Sequence, residues 1–235
     1  MFKDKYEMTV EENIFVAKRN IVDYIWKGAN LEGIAVTYPD TLSIYNGLSV
    51  KGMKVEDIIA INNLKRAWSF ILEHTDYEID FNFICAINQK VGGDNLIHRA
   101  GFLRKVPVSI GGTSWKPDPP IESKIKEDIE EIKTLTPKTH QAIEMMLYLM
   151  RSQMFLDGNK RTSMLAANHI MVSGGVGIIS IPIELQADFT NLLVKYYESG
   201  DNTTIKKFIY DHCIDGIDFR EQDRRTNENE RPSLF

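Results

Sequence analysis

Residues 147–168 read LYLMRSQMFLDGNKRTSMLAAN, and the reading of this stretch decides the fold. Apolar residues at helical spacing lie on both sides of a short turn. The turn gathers an acid, a glycine, an amide and two bases: Asp157, Gly158, Asn159, Lys160 and Arg161. Glycine lets a backbone turn sharply and come close to a ligand. A helix restarting near Lys160 points unpaired N–H groups and the positive end of its dipole into the turn, which makes an anion site. Lys160 adds charge, and Arg161 can fork two donors onto a phosphate. Asp157 suits Mg²⁺, which is commonly held by one or two carboxylates together with substrate phosphates. The same residues also suit a plain helix–turn–helix joint, with Asp-Gly-Asn as turn chemistry, Asn159 as a cap and the two bases in a solvated first turn. Cations at a helix N-terminus oppose the dipole, so their placement leans toward a bound anion.

Outward from this turn the pattern is helical. Upstream, Pro137 to Phe155 and Ile121 to Leu135 read as helices; downstream, the helix restarting near Lys160 runs to Ser173, where Gly174-Gly175 stops it. Ile183 to Ser199 and Thr203 to Asp211 give the last two helices. Near the start, Ile14, Ala17, Ile21, Tyr24 and Ile25 recur at helical spacing, so one helix is expected from Thr9 to Gly28, opened by a Thr9/Glu12 capping box. A short element carries Ala29 to Gly33, followed by a stretch from Tyr38 to Gly52 punctuated by Pro and Gly. Val55 to Glu73 reads as a long helix, and Asp80 to Val91 is apolar enough for helix or strand, with helix favoured. In Ala100 to Pro120, Phe102, Val106, Val108 and Ile110 alternate with other residues ahead of Gly111-Gly112, which predicts a hairpin. The expected architecture is an all-α helical bundle with one β-hairpin flap. It divides into an N-terminal helical segment (1–55), a main domain (56–215) and a polar C-terminal tail (216–235), frayed from Arg220 onward.

Bulk properties narrow the function classes. Hydrophobic residues make up 43% of 235, enough for a sizeable core. A net charge of −5 argues against a broad nucleic-acid face while leaving room for a local anion site. Two cysteines, Cys85 and Cys213, form neither a disulfide framework nor a zinc pattern and suit a reducing cytoplasm. The opening residues MFKDKYEMTVEEN lack the apolar core of a signal peptide, and no stretch has the length of a membrane span. The expectation is a cytoplasmic protein without nucleic-acid or membrane partners, open to forming a homodimer.

The segment Gln153-Met154-Phe155-Leu156-Asp157-Gly158-Asn159-Lys160-Arg161 resembles the signature of the Fic (Fic/Doc) family: His, any residue, Phe, any residue, Asp/Glu, Gly/Ala, Asn, Gly/Lys, Arg. The resemblance extends over most of the chain. Asn30-Leu31-Glu32-Gly33 looks like the family's inhibitory helix motif, Ala100 to Arg104 with Ile110-Gly111-Gly112 looks like its flap, Pro117 to Pro120 its proline exit, and Thr136-Pro137 its run-in to the signature. Fic proteins usually transfer AMP from ATP to a hydroxyl side chain of a target protein. The resemblance therefore implies ATP and Mg²⁺ as cofactors and a hydroxyl-bearing target protein as partner. It makes Asp157 the Mg²⁺ ligand and places Gly158, Asn159, Lys160 and Arg161 around the phosphates, with Phe155 anchoring the loop. Glu32 becomes the inhibitory glutamate, and Arg104, Val106, Val108 and Ile110 dock the target by strand addition.

Three positions depart from that pattern. Gln153 stands where the family carries its catalytic histidine. An imidazole titrates near neutral pH and can take the target's proton; a carboxamide cannot, and general-base help is worth roughly 10²–10⁴-fold. Ordinary transfer should be weakened with nucleotide binding retained. His140 lies ~20 Å back along one helix at ~1.5 Å per residue, and His169 lies well into the next. Met164 replaces the second arginine of the longer signature, and Gly28 replaces the Ser/Thr of the inhibitory motif, so Glu32 lacks its family partner. Lys160 and Thr162 look more like the Doc branch of toxin–antitoxin systems, whose chemistry is phosphoryl transfer. Three functions stay open: an adenylyltransferase impaired at Gln153, a catalytically degenerate nucleotide-binding regulator, and Doc-like or other nucleotide-derived transfer.

Overall fold

The computed structural model describes residues 2–219, so the expected frayed tail from Arg220 lies outside the described residues. The chain folds through α1 (Val10–Arg19), α2 (Ile21–Leu31), α3 (Tyr38–Tyr45), α4 (Val55–Glu73), α5 (Phe81–Val91), α6 (Glu122–Lys133), α7 (Lys138–Ser152), α8 (Asn159–Ser173), β1 (Ile178–Ile179), α9 (Gln186–Ser199), α10 (Thr203–His212) and β2 (Ile214–Asp215). Among the described residues no helix is long and apolar enough to cross a membrane.

Local chemistry explains several boundaries. Thr9 and Glu12 form the reciprocal capping box of α1, with Glu12 N–H to Thr9 Oγ1 at 3.1 Å and Thr9 N–H to Glu12 Oε2 at 2.7 Å. Asp80 caps α5 through the Phe83 N–H. The expected single helix from Thr9 is broken at Asn20, whose backbone leaves the helical region and serves both as C-cap of α1 and N-cap of α2. α2 then continues to Leu31, so Ala29 to Gly33 is its C-terminal end and not a separate element. The stretch after Tyr38 is not a loop throughout. Pro39 falls in the first turn of α3, where its missing N–H has no intrahelical partner to lose, and Thr37 caps the helix.

α8 lies at the centre. All of its residues except Lys160, Met164 and Ser173 are buried, and it packs against α7, α5 and α4. A helix enclosed on nearly all sides has no solvated face. One hydrophobic core runs from Ala17 in α1 to Cys213 after α10. The turn between α7 and α8 is thus a joint between the two most enclosed helices of the fold.

The antiparallel pair among the described residues is β1 with β2, in register Ile178↔Asp215 and Ile179↔Ile214. The flap segment makes its turn at Gly111-Gly112, but its arms are not held by a ladder between them. Its root pairs with the signature turn, through an isolated antiparallel bridge Leu103↔Phe155 and the bond from Arg104 N–H to Met154 O at 3.0 Å. Arg104 then takes over the role of a ladder. Its guanidinium donates to Val106 O at 3.1 Å, to Pro117 O at 3.3 Å and to Asp118 O, gathering both arms on one buried side chain. The far arm is fixed by Trp115 stacked on Tyr197, with centroids 5.7 Å apart.

Candidate functional site

The turn carries two left-handed residues. Gly158, with φ 76°, is the N-cap of α8, and Gln153, with φ 45°, is the C-cap of α7. A side chain at 158 would meet Ile97 Cδ1 at 2.8 Å and Val91 Cγ1 at 3.1 Å, so glycine is required by the close seat of the turn on α5 as well as by its φ. Gln153 has no such excuse. A non-glycine residue in this region costs of order 1–3 kcal/mol and persists only where its surroundings hold it. Here the holders are visible: Arg104 Nε donates to Gln153 O at 2.7 Å, and Gln153 Nε2 donates to Met150 O at 2.7 Å.

No side chain caps α8, so its first N–H groups face the turn with the positive end of the dipole. Arg161 is buried there, with its Nε lacking a hydrogen-bond partner. The Glu32 carboxylate lies opposite. Its Oε2 is 3.9 Å from Arg161 Nε and 4.0 Å from Lys160 Nζ, while its Oε1 is buried without a partner. Lys160 also donates to Leu31 O at 3.1 Å, so it is tied to the C-terminal end of α2, which carries Glu32. Asp157 faces solvent at 63% side-chain exposure, with Oδ1 accepting from the Gly158 N–H at 2.5 Å and lying 3.5 Å from Arg161 Nη2. Among the described residues no group of three His, Cys, Asp or Glu side chains converges. A lone exposed carboxylate beside an anion site matches the donor set of a Mg²⁺ shared with phosphates.

Asn159 differs from its expected role. Its side chain points inward: Oδ1 accepts from Phe155 N–H at 3.0 Å, and Nδ2 donates to Phe155 O at 2.9 Å and to Gln153 Oε1 at 3.2 Å. The carboxamide staples the turn. Arg104 likewise turns away from solvent, whereas Val106 is 52% exposed and Val108 and Ile110 are half-buried.

A cavity of about 290 Å³ opens over the turn. Its polar lining is Glu32, Gln153, Asp157, Asn159 and Lys160; Val108, Ile110 and Gly111 of the flap and Leu193, Val194 and Tyr197 of α9 line it as well. The α9 wall carried no motif in the sequence beyond the Tyr196-Tyr197 pair. Burial raises the Tyr197 phenol above its ordinary pKa, the charge of Glu32 adds to this, and a hydrogen bond to the Gln153 side chain opposes it. The phenol therefore stays protonated at neutral pH. No histidine lines this cavity. His169 is buried against Phe83 and bonds Tyr77 O, and His140 sits beside Glu144.

Residues 78–171 match the family model described as the Fic/DOC family. Over that stretch the chain matches a Fic domain. A comparison with curated proteins gives no match. Among solved structures, Fic-1 (residues 134–508) from C. elegans aligns with a TM-score of 0.71 at 22% identity, covering 83% of this chain and 62% of that one. A Fic domain containing signaling protein from Bacteroides thetaiotaomicron VPI-5482 aligns at 0.69 and 17% identity, covering 86% and 84% respectively. A Fic family protein from Desulfovibrio desulfuricans G20 aligns at 0.67 and 15% identity, covering 89% and 73%. The chain thus spans less than two thirds of the Fic-1 chain it resembles. At these identities the likeness establishes the Fic fold, with the signature turn inside the matched stretch.

Proposed function

We propose that this Fic protein binds a Mg²⁺–nucleoside triphosphate, taken as ATP, across the turn and flap, and that its transfer of AMP to a protein hydroxyl is weak because Gln153 replaces the base. The observation that carries this reading is the Glu32 carboxylate itself. An anion belonging to the chain already sits at Lys160 and Arg161, held by charge at 4.0 and 3.9 Å without a hydrogen bond. A phosphate offers more charge and more acceptors to the same donors. Arg161 and the first N–H groups of α8 hold the phosphates. Asp157 takes Mg²⁺, which neutralises phosphate charge when bound. The nucleoside lies against the apolar lining of the cavity, Ile110 of the flap and Leu193 and Val194 of α9. Asn159 keeps the turn closed.

Gln153 occupies the position from which a base would reach the target hydroxyl, but its carboxamide has no site for a proton. It is also committed, donating to Met150 O and accepting from Asn159. Tyr197, its neighbour, keeps its proton. Binding is therefore retained while deprotonation is lost, for an expected deficit of about 10²–10⁴-fold.

The test is labelling with α-³²P- and γ-³²P-ATP and Mg²⁺ in a lysate, comparing the native chain, Gln153→His and an Asp157→Ala blank. Label from the α position that appears with Gln153→His and is faint in the native chain supports the reading. Strong α-labelling by the native chain overturns the role given to Gln153. Labelling from the γ position alone makes the chain a phosphoryl transferase.

A further inference from the structure

Asn88 belongs to none of the motifs above, yet it lies between the two halves of the site. It is fully buried on α5. Its Nδ2 donates to Asp157 O at 3.1 Å and to Thr162 Oγ1 at 3.0 Å, while its Oδ1 accepts from Gly101 N–H at 2.7 Å. A carboxamide offers two donor hydrogens and one acceptor oxygen, and all three functions are engaged with different parts of the chain. The partners flank two left-handed glycines. Gly101, φ 80°, is the root of the flap, and Gly158, φ 76°, follows Asp157 in the turn. Neither glycine has slack: a Cβ at 101 would stand 3.0 Å from Cys85 O, and one at 158 would stand 3.3 Å from Asn88 Nδ2 itself.

We infer that Asn88 is a positioning residue, which fixes the separation between the flap that covers the nucleoside and the turn that holds the phosphates. The inference rests on the nucleotide-binding reading above. The donor lobe sets the depth of the turn through the Asp157 carbonyl and locks the first turn of α8 through Thr162. The acceptor lobe sets where the flap leaves the core. Because one rigid planar group does both, a shift of the flap root is transmitted to the turn. The width of the cavity between Ile110 and Lys160 is set from behind, by a residue that touches no ligand. Buried groups left unpaired in a low-dielectric interior are costly, so the three bonds hold together.

The experiment compares the native chain with Asn88→Leu, which keeps the shape and removes all three bonds, and Asn88→Asp, which keeps the acceptor for Gly101 and loses both donors. Arg161→Ala serves as the control for the binding reading. Affinity for a Mg²⁺–ATP analogue is measured by calorimetry, and amide exchange is followed at Gly101 and at Leu156 to Gly158. The expected result is roughly tenfold weaker binding in Asn88→Leu, with Gly101 deprotected in Asn88→Leu alone and the turn deprotected in both variants. Native affinity within twofold in a folded Asn88→Leu, with Gly101 exchange unchanged, overturns the inference. If the native chain binds no nucleotide, the binding reading fails, and the exchange pattern alone decides the role of Asn88. If Asn88→Leu does not fold, Asn88→Asp decides: turn deprotection with Gly101 still protected upholds the inference, and native exchange at both refutes it.

Discussion

Removing the Glu32 carboxylate should tighten nucleotide binding, and the structure sets the size of the effect. Two unit charges ~4 Å apart attract by about 4 kcal/mol at an effective dielectric of ~20. Glu32 faces two cations at that range, Arg161 with 8% and Lys160 with 33% side-chain exposure. Three things reduce the net hold. Neither contact is short enough to be a hydrogen bond, water screens Lys160, and Glu32 Oε1 is buried without a partner, which costs ~1–3 kcal/mol. About 1–2 kcal/mol remains for an incoming phosphate to overcome, equivalent to about 5–30-fold in affinity. Calorimetric titration with Mg²⁺ and a non-hydrolysable ATP analogue should therefore give that gain for Glu32→Ala. Glu32→Gln, which keeps the size and removes the charge, should give a similar gain. The melting temperature without ligand should fall modestly, since the same net attraction is lost and Arg161 stays buried without its counter-charge. Unchanged or weaker binding in both variants would refute the competition argument.

Other variants probe the same frame. Met164, Glu32 and Arg161 line one cavity of about 30 Å³, so Met164→Arg should supply a hydrogen-bonded partner for Glu32 and weaken nucleotide binding by about tenfold, read in the same titration. Arg104→Ala strips donors from Gln153, Val106, Pro117 and Asp118; it should cost about 2–4 kcal/mol in a denaturant melt and speed proteolysis between Lys105 and Lys116. Burial lowers the pKa of His169 below its ordinary 6.5, with the hydrogen bond to the Tyr77 carbonyl opposing. The unfolded chain then binds the proton more readily, so stability should be full above pH ~6.5 and fall as the pH drops below it. Melts of His169→Gln should be flatter over that range.

Much of this fold was legible because long helices announce themselves. α4 spans Val55 to Glu73 as its pattern predicts, and α7 and α8 flank the signature turn within a few residues of expectation. The misreadings have local causes. Pro39 punctuates a stretch for which the sequence suggests no helix, although the first turn of a helix accepts proline. Asn20 interrupts a helical pattern that continues on both sides of it. β1 and β2 are two residues each, too short for alternation to register. In the site, the identities at 157–161 pointed to an anion, but the direction of a side chain is not written in its type. Asn159 faces inward and Arg104 braces the flap. Asn88 was invisible because its partners lie 13, 69 and 74 residues away, and no spacing rule links them.

The antiparallel pair β1–β2 and its neighbours join the two ends of the described chain, and this orders events during synthesis. Asn13 in α1 exchanges hydrogen bonds with Gly177, 164 residues later, and the Tyr24 hydroxyl of α2 donates to Asp215, 191 residues later. At roughly 5–20 residues per second, a ribosome needs ~10–40 s to span such an interval. For that time Asn13 and Tyr24 lack these two partners, while α2 can already pack on α3 and α4. The helix that carries Glu32 therefore has its near partners long before its far one, and the bond from Tyr24 to Asp215 can close only once residue 215 has been made.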